Sequence, residues 1–265
     1  MNASPVSREG YRAIQDLLSV REGIALCWLG NLSWLIYADG QLVATDLDLD
    51  REDRIQPSPI PTKEIAPALD VHLITHEHED HFSSPTCTIL AAQSDCDFVV
   101  PANCVDKARG LGLAASRIHV ARPGEPFDLS GLHIEPQRAL HGHLFSSVYR
   151  HANLEDCGYL FTMTGKRFLQ PGDTVLLHDH LELSDVDILF VSPTDHNTHV
   201  DRSTVLVNAL EPEYIFPQHF GTYVQTDGNR YWTKGYPDEL KARLPRRMQD
   251  RFHKLALGQV YVIER

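Results

Sequence analysis

The sequence predicts an α/β protein built on two packed sheets with helices outside them, and three observations carry that expectation. Each half of the chain opens on strand-like runs that read as antiparallel hairpins. Each half then passes into strand–helix alternation. No Gly- or Ser-rich linker divides the 265 residues, so a single domain over 1–265 is expected.

Taken in order, residues 7–20 carry Ile14, Leu17, Leu18 and Val20 behind Ser7 as an N-cap, which predicts an amphipathic N-terminal helix within 1–22. The runs 24–29, 33–37 and 41–45 read as strands, the first two separated by Gly30-Asn31 and the last two by the hairpin signal Asp39-Gly40. Residues 46–67 are polar and carry Pro57, Pro59, Pro61 and Pro67, which reads as a surface loop. A short apolar run at 71–74 reads as a buried strand, followed by helix 85–93, strand 98–100, helix 103–111 and strand 118–120. The second half gives strands at 132–135, 159–162, 167–169, 186–191 and 214–216, helices at 203–210 and 238–244, and a terminal strand at 260–264.

Composition narrows the function. The chain has 24 Lys+Arg against 36 Asp+Glu, a net charge of −12, which argues against broad nucleic-acid binding. With 42% hydrophobic and 23% charged residues it reads as an ordinary globular protein, and no apolar run approaches the roughly 20 residues that span a bilayer. Residues 1–9 lack an apolar stretch of the signal-peptide kind. Cys27, Cys87, Cys96, Cys104 and Cys157 form no CxxC pair and are odd in number, so they read as buried apolar residues of a cytoplasmic protein. The unusual count is 15 histidines, and they are clustered.

The strongest signal is His76-Glu77-His78-Glu79-Asp80-His81, directly after the apolar run. Imidazoles and a carboxylate without thiolate suit Zn(II), Mn(II) or Fe(II), and a loop at a strand end can turn them toward neighbouring points. Further residues of ligand type stand just past later predicted strands: His141-Gly142-His143, Asp173 in Pro171-Gly172-Asp173-Thr174, and His219 in Pro217-Gln218-His219. Asp46, ending the third strand, reads either as an acceptor that fixes a ligand imidazole or as a strand-end turn residue.

In this ordered set, HxHxDH then His, Asp and His, the sequence resembles the metallo-β-lactamase superfamily. Within it, the sequence is similar to the branch of L-ascorbate-6-phosphate lactonases, through Cys27-Trp28-Leu29-Gly30-Asn31, Asp46, Thr75 to His81, Pro101 to Val105, Arg122-Pro123-Gly124-Glu125, Tyr159-Leu160-Phe161, Gly172-Asp173-Thr174 and Pro217 to Phe220. The likeness covers about residues 23–222. It implies a four-layer αββα sandwich holding two divalent ions per chain, Zn or Mn, with Fe as a further choice. Carried over by position, His76, His78 and His141 would hold the first ion. Asp80, His81 and His219 would hold the second, and Asp173 would bridge both; His143 competes with His141. Two such ions, about 3.5–4 Å apart, lower the pKa of a shared water from about 15.7 toward 7 and neutralise a developing oxyanion. Asp80 and Asp173 are therefore the expected catalytic carboxylates.

Substrate contacts are expected from Asn31, at the first hairpin turn, and from His196 and His199, whose segment follows the strand 186–191; a plain surface loop is the alternative for the two histidines. His178-Asp179-His180 reads as a solvated helix or loop, and His72, His119, His133, His151 and His253 read as structural or exposed. After His219, Tyr223, Arg230, Tyr231, Trp232, Lys234 and Tyr236 combine aromatic surface with positive charge, which suggests a lid within 223–265 carrying Trp232 and Lys234 into substrate contact; packing over the sandwich edge is the alternative. The expected function is a metal-dependent hydrolase that turns a metal-bound hydroxide on a small molecule, a lactone or a phosphate-containing ester. A phosphodiesterase and a metal-bound sensor without catalysis are the alternatives. A flavodiiron role is disfavoured because the motif lacks the acidic third position of HxExD. No membrane or nucleic-acid partner is expected, and homo-oligomerisation stays open.

Overall fold

Asp39-Gly40 makes the turn that its residue types call for, with φ of 51° and 84°, the left-handed pair a two-residue hairpin loop needs. It joins β2 (Ser33–Ala38) to β3 (Gln41–Thr45), and β1 (Ile24–Gly30) lies antiparallel to β2 with Leu26 opposite Ile36. The computed structural model describes residues 12–264. Ser7 and the segment 1–9 thus lie outside the described residues, and the N-terminal helix is α1 (Arg12–Leu18).

The described residues form two compact units, one running up to Val120 and resuming at Leu255, the other from Ala121 to Lys254. In the first, β4 (Val71–Leu73), β5 (Asp97–Pro101) and β6 (Ile118–Ala121) extend the sheet beyond β3, and the C-terminal strand Val260–Ile263 closes it beside β1. Pairing is antiparallel from the C-terminal strand to β3 and parallel from β3 through β5. Ala25, Cys27 and Leu29 face one way, as the period of two dictates, and share a core with Ile14 and Leu17 of α1 and Cys87 and Leu90 of α3 (Ser84–Gln93). Ile24, Leu26 and Trp28 on the other face are buried as well, which is why the run is apolar throughout rather than alternating.

The proline-rich stretch 46–67 departs from expectation. It contains α2 (Thr62–Ile65), and Leu47, Leu49, Ile60 and Ile65 belong to the core. Some of its polar groups are held internally, Arg54 donating to the carbonyls of Leu29 and Asp48 and Thr86 donating to Asp50, while Glu52, Asp53, Gln56, Pro57 and Lys63 are exposed as a surface loop would have them. Proline here sets an irregular path that dips into the core at Leu47, Leu49, Ile60 and Ile65 and returns to the surface between them. The helix expected at 103–111 is shorter, α4 (Val105–Gly110).

The second unit repeats the plan. β7 (Phe127–Leu129), β8 (Leu132–Arg138), β11 (Cys157–Met163) and β12 (Lys166–Gln170) pair antiparallel, and β13 (Ile188–Val191) and β14 (Tyr214–Pro217) continue in parallel. A small hairpin, β9 (Gly142–His143) with β10 (Ser147–Val148), stands apart from that sheet. Besides α5 (His178–Leu181) and α6 (His199–Leu210), the segment after His219 forms α7 (Arg230–Thr233), α8 (Pro237–Arg243) and α9 (Arg246–Gln249). Leu240, Leu244, Met248 and Phe252 share a core with Leu160, Leu169, Leu189 and Ile215 of the sheet and Val200, Leu206 and Val207 of α6. Leu240, Leu244, Met248 and Phe252 recur at the spacing of amphipathic helices and lie beyond 223–236, the stretch that suggests the lid.

All five cysteines are buried free thiols, and burial pushes Cys27 and Cys157 up to about 12. Among the described residues, no helix is long and apolar enough to cross a membrane.

His72, central in β4 and wholly buried, accepts the Leu47 N–H on Nε2 at 3.0 Å, while Nδ1 finds no partner among the described residues. Burial pushes its pKa down to about 3. The unfolded chain, with an ordinary histidine near about 6.5, binds a proton the folded chain refuses, so this contribution to stability is whole above that pH and is lost as pH falls toward the folded value. The free-energy difference between native protein and His72→Gln, from urea unfolding, is expected to narrow by up to about 1.4 kcal/mol per pH unit below pH 6. A difference that does not change with pH would show that His72 titrates normally in the fold.

Candidate functional site

In the first unit the histidine-rich loop leaves β4 and is pinned from beneath by Asp46, at the end of the neighbouring β3. Asp46 accepts the Thr75 N–H at 2.8 Å and the Thr75 hydroxyl at 2.7 Å, and the His81 Nδ1–H at 2.8 Å. Burial raises the Asp46 carboxyl, while His81 and Thr75 pull it down. Because a carboxylate only accepts, His81 carries its proton on Nδ1 and directs the Nε2 lone pair away, 3.4 Å from Asp80 Oδ2. Asn31, at φ 44° in the first hairpin turn, donates its amide to the Asp80 carbonyl at 2.9 Å and to Asp80 Oδ2 at 3.2 Å. His76 Nε2 and His78 Nδ1 lie 3.1 Å apart, and the His76 and His81 rings are 4.0 Å apart. The outward residues of the motif are tethers: Lys107 donates to the Glu77 carbonyl and to Glu79, and Glu79 accepts from Ser84 at the start of α3.

In the second unit Asp173, past the end of β12, collects three imidazoles on one oxygen. Its Oδ2 lies 2.7 Å from His196 Nε2, 3.3 Å from His219 Nε2 and 3.5 Å from His141 Nε2, and its Oδ1 accepts the Asn197 amide at 2.8 Å. His141 donates its Nδ1–H to the Gly142 carbonyl at 2.7 Å, so its Nε2 carries the lone pair. His219, at φ 63°, follows β14, and the adjacent Gln218 exchanges paired amide hydrogen bonds with Gln170, three residues before Asp173. His141, Asp173 and His196, all buried, offer donor atoms within 4.8 Å of one another. Burial pushes the His196 imidazole down, against the pull of Asp173.

The structure separates several candidates. His143, the competitor of His141, packs against Tyr149 at 5.8 Å and Tyr231 at 5.1 Å rather than joining the Asp173 group. His199 stands 3.3 Å from Asp195 and packs on Tyr236, apart from its neighbour His196. Trp232 lies edge-on to His219 at 6.4 Å, and Lys234 rests its ammonium over the Tyr236 ring at 4.9 Å. His178 is exposed as expected, but His180 is buried and donates to the Arg138 carbonyl. Sequence reasoning missed the contacts of Asn197 and His196 with Asp173 and of Asn31 with Asp80; no spacing rule links residues that far apart.

A family model described as a beta-lactamase superfamily domain matches residues 25–219, a span that runs through both units. Among similar proteins, a UPF0173 protein of Pyrococcus furiosus is 27% identical over 84% of this chain and 91% of its own length. A UPF0173 metal-dependent hydrolase of Carboxydothermus hydrogenoformans is 25% identical over 79% of this chain and 91% of its own. Among solved structures, Igni18, a novel metallo hydrolase of the hyperthermophilic archaeon Ignicoccus hospitalis, has a TM-score of 0.72 at 19% identity and covers 91% of this chain and 98% of its own. An isothiocyanate hydrolase from Delia radicum gut bacteria has a TM-score of 0.70 at 17% identity and covers 91% of this chain and 100% of its own.

Proposed function

This chain belongs to the beta-lactamase superfamily and has the metallo-β-lactamase fold, and on that premise we propose that it is a metal-dependent hydrolase of small molecules. Its ligands are His76, His78, Asp80, His81, His141, Asp173 and His219, and the ions are Zn or Mn, two per chain, with Fe as a further choice. The donor chemistry supports the reading: His81 and His141 each spend Nδ1–H on an oxygen acceptor and keep a lone pair on Nε2. Buried imidazoles in that tautomer, beside carboxylates and without thiolate, suit these ions.

When bound, such ions supply an acidified water and neutralise a developing oxyanion. The residues of the chain do the rest. Asp80, held by Asn31 through both its carbonyl and its carboxylate, orients the attacking water and takes up its proton. Asp46 holds His81 in one orientation from below. Trp232, beside His219, gives substrate an apolar wall, and Lys234 and His199 supply polar contacts to it. A lactone or phosphate-containing ester is the favoured substrate, as in the lactonase branch the sequence resembles, and the chain acts in the cytoplasm. A phosphodiesterase is the second reading.

The observation that carries the proposal is the gathering of His76, His78, Asp80 and His81 after β4 in the first unit and of His141 and His219 about Asp173 in the second. It is tested by turnover of lactones, phosphodiesters, acyl thioesters and an isothiocyanate with metal-free protein reloaded separately with Zn(II), Mn(II) and Fe(II). Turnover of at least one ester class, abolished by chelator and restored by metal, is expected. No turnover of any class, with metal stably bound, would favour a sensor.

A further inference from the structure

We infer that His196 and Asn197 are positioning residues that clamp Asp173, so that it serves metal through one oxygen only. The inference rests on the reading of Asp173 as a ligand. Both carboxylate oxygens are engaged by neighbouring side chains on consecutive residues: Asn197 donates to Oδ1 at 2.8 Å and His196 to Oδ2 at 2.7 Å. A carboxylate has nothing to donate, so His196 Nε2 must carry the proton. Of the three imidazoles around Asp173 Oδ2, His196 makes the shortest contact, whereas His219 Nε2 stands at 3.3 Å and His141 Nε2, whose ring spends its proton from Nδ1, at 3.5 Å. The nearest of the three is the hydrogen-bond donor that holds the carboxylate.

The clamp is itself built rigidly. His196 and Asn197 are almost wholly buried, which removes the water that would compete for both hydrogen bonds. The His196 N–H donates to the Tyr231 carbonyl and the Asn197 N–H to the Thr194 carbonyl, both at 3.2 Å. The next residue, Thr198, bonds Ser203 of α6 at 2.6 Å. The opposite wall is Gly142, where a Cβ would sit 1.5 Å from the His196 carbonyl oxygen, so only glycine lets the strand that follows His141 lie against this turn. With Oδ1 held by Asn197, the carboxylate cannot swing to chelate through both oxygens, and Oδ2 is the oxygen presented to the imidazoles. Partners of this kind typically change metal affinity by about 10–100-fold without changing the number of ions.

The test is titration of the metal-free full-length chain with Co(II), reading the visible d–d spectrum and the number of ions bound at saturation. His196→Ala and Asn197→Ala are each expected to weaken Co(II) binding by roughly 10–100-fold while the saturating number stays that of the native chain. His196→Gln, whose side-chain amide still donates, is expected to recover most of that loss, and the double variant to lose less than the two single losses multiplied. The milder Asn197→Ser keeps the test open if an alanine variant does not fold. Loss of a whole equivalent in His196→Ala at saturation, unrestored by glutamine, would overturn the inference and make His196 a ligand. Native affinity in every variant would overturn it too. If Asp173→Ala binds Co(II) as the native chain does, the ligand reading itself has failed and the clamp falls with it.

Discussion

Asp173→Ala is expected to lower kcat/KM by at least about 10³-fold, equivalent to about 4 kcal/mol of barrier, and by more than alanine at any one of the ligand histidines. On the proposed reading a bridging carboxylate serves both ions, whereas each imidazole serves one. The surroundings add to the effect. Removing the carboxylate strands the buried His196 N–H and Asn197 amide, which now donate to it, at about 1–3 kcal/mol for each unsatisfied group. Asp173→Asn separates the two contributions, since it keeps the shape and an acceptor oxygen but removes the charge. If Asp173→Asn folds with near-native stability and still loses turnover, the charge is what matters. Steady-state kinetics on whichever substrate class is turned over gives the comparison, and a loss under tenfold would remove Asp173 from the catalytic set.

Asp46→Ala is expected to cost about 2–6 kcal/mol of stability, since it removes the buried acceptor of the Thr75 N–H and of the His81 Nδ1–H, at about 1–3 kcal/mol for each unsatisfied group. Asp46 is fully buried and takes three hydrogen bonds, from the Thr75 N–H, the Thr75 hydroxyl and His81 Nδ1–H. Alanine takes the acceptor from the Thr75 N–H and the His81 Nδ1–H, while the Thr75 hydroxyl keeps His76 Nδ1 at 3.1 Å, and it frees the His81 ring to rotate. Two readouts should therefore move together: the urea midpoint of the metal-free chain, and the affinity for the ion that His81 serves. Thr75→Val, which removes only the hydroxyl donor, should cost far less. A stability change below about 1 kcal/mol in Asp46→Ala would mean that the loop after β4 is held by other contacts.

The contrast between these residues shows what the sequence could convey. β3 has the boundaries expected of it, 41–45, because a short apolar run, buried on both faces, ends on a hairpin signal at one side and on Asp46 at the other. The position of the histidine-rich loop was legible for a similar reason, since ligand-type residues packed within six positions after a buried strand are a local pattern. Asp46 was legible only as one of two readings; the choice needed the 2.8 Å contact with His81, 35 residues away. His196 stood out only as a histidine past a strand, and Asn197 not at all, because their partner lies 23 and 24 residues earlier on another strand end. The partial burial of 46–67 was hidden by composition: four prolines look like a surface loop until Leu47, Leu49 and Ile60 are seen in the core. The hairpin of β9 and β10 has strands of two residues and a left-handed Phe145 at φ 57°, too short and too irregular for any periodicity to register.

The most direct measurement is elemental analysis of the full-length chain purified without chelator, side by side with Asp173→Ala. Seven ligand residues exceed what one four-coordinate ion needs, so close to two divalent ions per native chain are expected, with a clear deficit in the variant. A single tightly held ion per native chain, unchanged in Asp173→Ala and accompanied by full activity in Asp80→Ala and His81→Ala, would contradict the account.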